Sequence, residues 1–111
     1  MTQEQIIDFN KKCAEFLNLH RNEDVAIYKL MAYTYDSLKF HSDWNWIMEV
    51  VDAIQKLADW TLECLNYPDG NRDYQMMIPL SGTNIINNDK KEAVVQGINQ
   101  FLIWYTQNKT T

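Results

Sequence analysis

The stretch Phe40-His41-Ser42-Asp43-Trp44-Asn45-Trp46-Ile47-Met48-Glu49-Val50-Val51-Asp52-Ala53-Ile54 states its secondary structure more clearly than any other part of the chain. Ser42 is a favoured N-cap residue type, and Asn45 follows three positions later. At about 100° per residue, Trp44, Ile47, Val50, Val51, Ile54, Leu57 and Ala58 fall on one broad arc, opposite Asn45, Glu49, Asp52 and Lys56. The pattern predicts an amphipathic helix over 43–58. Trp44 belongs to its core face, while Trp46 and Met48 lie at the two edges of the arc.

Upstream, Thr2 and Gln5 have the spacing of a capping box, in which each side chain satisfies a backbone donor at a helix start. A helix over 3–19 follows, with Ile6, Phe9, Cys13, Phe16 and Leu17 recurring at steps of three and four. From His20 to Lys39 the periodicity is mixed. Val25, Ile27, Met31, Tyr33 and Tyr35 alternate like a strand, whereas Ile27, Leu30, Met31 and Leu38 also suit a helix. β-branched and tyrosine content tilts 25–35 towards a third strand.

Downstream, Trp60-Thr61-Leu62-Glu63-Cys64-Leu65 and Tyr74-Gln75-Met76-Met77-Ile78 flank Pro68-Asp69-Gly70-Asn71. Proline presets φ and glycine accepts a positive φ, so this reads as a β-hairpin over 60–80, ended by Pro79, which cannot donate to a ladder. Ser81 to Asn88 reads as polar loop. Asp89 and Glu92 repeat the capping spacing and open a helix over 90–105, with Val94, Ile98, Phe101, Leu102 and Tyr105 on one face. Gly97 within it suggests close approach to another element. The sum is an α+β fold: a small antiparallel sheet packed with three helices, in a single domain over 1–111.

Composition narrows the function. Ten basic against fifteen acidic residues give a formal charge of −5, the wrong sign for a protein that gains affinity by neutralising phosphates. Direct nucleic-acid binding is not expected. The start, Met1-Thr2-Gln3-Glu4-Gln5, is no signal sequence, and no apolar run reaches membrane-spanning length. Cys13 and Cys64 both sit in apolar patterns and read as buried free thiols, which fits a cytoplasmic location.

Little catalytic chemistry is visible. The contiguous His41-Ser42-Asp43 imitates a hydrolase triad, but neighbouring side chains diverge on a helix and cannot converge on one substrate atom. A helix cap explains the string better, with His41 able to pack on Trp46. Two histidines and two cysteines at 13, 20, 41 and 64 match no zinc spacing, and Gly70, Gly82 and Gly97 form no phosphate loop. No cofactor is expected. Glu49 and Asp52 share a helix face, where solvation is the ordinary role of carboxylates. The aromatic side chains are more informative. Trp46, His41, Tyr33, Tyr35, Trp60 and Trp104 are the candidate binding residues, because an aromatic cluster outside the core suits docking of a protein or stacking of a base.

The segment from Lys39 to Ile54 resembles a motif of small uncharacterised proteins from bacteriophages and prophage-bearing bacteria, approximately Leu-Lys-Tyr-His-Ser-Ser-Trp-Asp-Trp-Leu-Met-Pro-Val-Val-Glu-Lys-Ile. Glu92-Ala93-Val94-Val95 and Phe101-Leu102-Ile103-Trp104-Tyr105 are similar to that group's closing helix. Asn45 stands where the group has Asp, and Glu49 where it has Pro. The layout also resembles, more distantly, the phage domain called the ABA sandwich. The resemblance covers about half the chain and implies a phage or mobile-element setting without a mechanism.

The expectation that follows is a non-enzymatic accessory protein that binds a host component to disarm a bacterial defence system. It would either occlude a host protein or sequester a small nucleotide-like ligand, the latter with cations such as Lys29, Lys39 and Arg72. The competing classes are a structural module forming homo-oligomers, and a small enzyme using His41 with Glu49 or Asp52.

Overall fold

A computed structural model describes residues 1–20 and 38–108. The expected third strand over 25–35, with Tyr33, Tyr35 and Lys29, lies outside the described residues. Two compact units divide the chain, Met1–Ala53 and Ile54–Thr111. Together they carry three described helices and a three-stranded antiparallel sheet, an α+β fold.

The first unit opens with α1, Gln3–His20. Its start is the anticipated capping box: the Gln5 N–H donates to Thr2 Oγ1 at 3.2 Å, and the Thr2 N–H donates to Gln5 Oε1 at 2.8 Å. Phe9, Cys13, Phe16 and Leu17 are buried as their spacing requires. Asn10 is buried with them, and its Nδ2 donates to the Leu38 carbonyl at 2.9 Å, tying α1 to the segment that leads into the next helix.

That helix, α2, spans Trp44–Gln55 and carries the boundary between the units. Its start corrects the sequence reading. The cap is Asp43, whose Oδ1 accepts from the Asn45 N–H at 2.9 Å; the Ser42 and Asp43 amides are taken up by the Lys39 carbonyl in a tight turn. Ser42 is one residue too early to cap a helix that begins at Trp44. The helix also ends earlier than expected. The Leu57 and Ala58 amides both donate to the Ile54 carbonyl, and Leu57 is exposed rather than buried.

The second unit builds a meander in the order β1-β2-β3, with β1 at Thr61–Asn66, β2 at Arg72–Ile78 and β3 at Thr83–Asn87. Leu62 stands opposite Met76, and Met76 opposite Ile85. The β1–β2 turn is as anticipated: the Gly70 N–H donates to the Tyr67 carbonyl, Asp69 Oδ1 accepts from the Asn71 N–H, and Gly70 has φ 89°.

β3 was expected as loop, because Thr83-Asn84-Ile85-Ile86-Asn87 shows no apolar alternation. Its inward residue is Thr83, buried because its hydroxyl has a partner. The Ser81 hydroxyl donates to the Ile78 carbonyl at 3.1 Å, and the Thr83 hydroxyl lies 2.6 Å from Ser81 Oγ. A short 3-10 turn, Pro79–Ser81, and Gly82 at φ 71° reverse the chain between β2 and β3.

The final helix, α3, spans Lys90–Asn108 and packs over β2 and β3. Asp89 caps it, Oδ1 accepting from the Glu92 N–H at 2.9 Å, while Glu92 turns instead to Gln96. Gly97 is the point of closest approach, since a Cβ there would sit 2.5 Å from Met76 Cγ. Val94, Ile98, Phe101 and Leu102 are buried, and the Tyr105 ring stacks on Phe101 at 6.2 Å. No helix among the described residues is long and apolar enough to cross a membrane.

Candidate functional site

In the first unit Phe40, Trp44 and Trp46 lie at the start of α2. Phe40 is buried and meets Trp46 edge-on, with ring centroids 5.0 Å apart and planes at 76°. This edge-on contact holds the chain where it turns into the helix. Trp46 is half-buried, as its position at the edge of the arc implied.

Trp44 is the main departure on this helix. It is 36% exposed, and Met48, one turn later, is 38% exposed. The buried arc is rotated away from both, running through Ile47, Val50, Val51, Ala53 and Ile54. Ala53, fully buried, lies on that arc. A signal for the rotation existed in the sequence. Trp44, Met48, Asp52 and Gln55 form one line along the helix, and its two polar members mark it as outward-facing.

His41 is half-buried, and its Nδ1 is buried without a hydrogen-bond partner among the described residues. Desolvation lowers its pKa from the ordinary 6.5, and the positive amino terminus lowers it further. Both influences keep the ring neutral, and neither comes from a carboxylate that would orient a catalytic imidazole. Glu49 is half-buried and Asp52 exposed on α2.

In the second unit Trp60 and Trp104 are both half-buried but held by different partners. Trp60 Nε1 donates to Gln55 Oε1 at 3.2 Å, whereas the Trp104 ring lies 5.7 Å from Phe101. Two hollows accompany them. A polar one of about 620 Å³ at the hairpin end is lined by Tyr67, Asp69, Asn71, Arg72, Asp73 and Asn88. In it the Tyr67 hydroxyl donates to Asp73 Oδ2 at 2.9 Å, a bond that raises the Tyr67 pKa. Arg72 Nε donates to Asn66 Oδ1 at 3.0 Å. A smaller hollow of about 320 Å³ lies among Leu57, Ala58, Asp59, Pro79 and Leu80.

The two thiols differ. Cys13 is fully buried, and burial pushes its pKa well above 9.0; Cys64, expected to be buried, is exposed on β1. The final helix packs over β2 and β3, and Cys64 lies on the strand beside them. Among the described residues no group of His, Cys, Asp and Glu is arranged to hold a metal ion. Compared with protein-family models, curated proteins and solved structures, the chain has no match.

Proposed function

We propose that the chain is a non-enzymatic accessory protein of a phage or mobile element that binds a host protein and thereby disarms a bacterial defence system. The observation that carries this reading is the Trp44–Met48 pair, two large apolar side chains exposed one turn apart on α2. Large side chains of this kind, held on a rigid helix, are common anchors of protein interfaces. The resemblance of Lys39 to Ile54 to phage proteins supplies the setting.

Charge favours occlusion of a protein over capture of a nucleotide. The larger hollow offers one cation, Arg72, beside the carboxylates of Asp69 and Asp73. Such a lining repels phosphate as much as it attracts it. Of the three candidate cations Arg72 lines this hollow, and Lys29 lies outside the described residues.

The test is phage plating on bacteria that carry individual defence systems, with and without this chain expressed. Wild-type chain is expected to restore plating on at least one such strain. The Trp44→Ala/Met48→Ala double variant, folded by circular dichroism, is expected to lose most of that rescue. Equal rescue by the double variant would sink the assignment of the surface. No rescue on any strain would sink the function.

A further inference from the structure

Among the described residues β1 is an edge strand. The Tyr67 N–H donates to the Asn71 carbonyl at 2.9 Å, which fixes the parity of the hairpin. The N–H and C=O of one antiparallel residue point to the same side, and the side alternates along the strand. Thr61, Glu63 and Leu65 therefore turn their backbone groups to β2, and Leu62, Cys64 and Asn66 turn theirs outward. No described strand pairs with that side. Thr61–Asn66 holds no lysine, no proline and no bulge, its ladder to β2 is unbroken, and its one charged side chain is Glu63. Cys64 and Asn66 are exposed in the middle and at the end of this edge.

We propose that β1 pairs antiparallel with β1 of a second copy of this chain, about a twofold axis at Cys64. A twofold pairing keeps each sheet face continuous only if the axis sets one residue opposite its own copy. An axis at Glu63 would place two carboxylates directly against each other and leave Asn66 unpaired. Like charges opposed in this way destabilise a sheet. Moving the axis one residue to Cys64 sets Glu63 beside Leu65 of the other copy and joins Leu62 to Asn66. All three outward residues then bond, giving about six backbone hydrogen bonds. Axes farther along the strand shorten the overlap. The charge pattern and the length of β1 thus suit a second copy and select the register. The sheet becomes continuous across the two copies. Because the axis is perpendicular to the sheet, α3 of each copy stays on the same face, over β2 and β3 and away from the seam.

Sedimentation equilibrium of the reduced full chain is expected to show a monomer–dimer equilibrium, and Cys64→Ala is expected to retain it. Cys64→Pro removes an outward N–H and no bond to β2, so it is expected to halve the observed mass. Register is read by cross-linking in the Cys64→Ala background. Diamide accepts two electrons and two protons from two thiols, becoming the hydrazine as one S–S bond forms between copies. Glu63→Cys mixed with Leu65→Cys is expected to give a covalent heterodimer, and Leu65→Cys alone, which keeps Glu63, little product. Wild-type Cys64 is expected to cross-link as well, because a hydrogen-bonded pair places Cα atoms about 5.5 Å apart, within disulfide range. Cys13, fully buried, does not compete. A Cys64→Ala chain that is monomeric at every concentration overturns the proposal. So does Leu65→Cys that cross-links to itself as readily as to Glu63→Cys.

Discussion

Cys13 and Cys64 carry the same thiol in opposite surroundings. Burial holds Cys13 protonated, and exposure leaves Cys64 open to reagents. A thiol-reactive probe is therefore expected to titrate one cysteine per native chain at neutral pH and two after denaturation. Cys64→Ala should reduce the native count to nearly zero. His41 carries the pH dependence. Its pKa in the folded state lies below 6.5, so the unfolded chain binds the proton more readily. Stability contributed by the neutral ring is present above about pH 6.5 and is lost as pH falls through the lower, folded value. The melting temperature of the wild type should fall more between about pH 7.5 and pH 5.5 than that of His41→Gln. A parallel fall in both proteins would show that other groups dominate. The capping role assigned to Ser42 fails because N-cap preference is shared by Ser and Asp. Only the hydrogen bond to Asn45 tells which of two neighbours does the work.

At the level of the element, that distinction has a measurable size. Asp43→Ala removes the carboxylate that holds the first turn of α2 and is expected to cost about 0.5–2 kcal/mol, whereas Ser42→Ala should be nearly neutral. Equal losses in urea unfolding would return the cap to Ser42. On α3, helix propensity alone favours Gly97→Ala by about 1 kcal/mol. The new Cβ would meet Met76 at 2.5 Å, and overpacking of that kind costs about 1–3 kcal/mol. The clash should win, giving a net loss of up to about 2 kcal/mol. In the Met76→Ala background the same substitution should become neutral or stabilising, a coupling visible in a double-mutant cycle. α1, α3 and the hairpin were legible because their signals are local: capping spacings, a step of three and four, and Pro-Asp-Gly. β3 was not, because its inward-facing Thr83 depends on Ser81 and Ile78, a hydrogen-bond arrangement that apolar periodicity does not record.

At the level of the whole molecule, the described aromatic candidates divide between the two units. Trp46 and His41 lie in the first unit and Trp60 and Trp104 in the second. The sequence could name these residues but not group them, since grouping depends on how α2 is rotated about its axis. The meander has a further effect on how the chain reaches its fold. Each strand pairs with the next in sequence, and α3 packs on the two strands just before it. The second unit thus closes only short loops, and little chain entropy is spent before contacts form. Refolding of this half should run ahead of what its β content alone suggests. As the chain leaves the ribosome, β1 can be held by β2 before β3 has been synthesised.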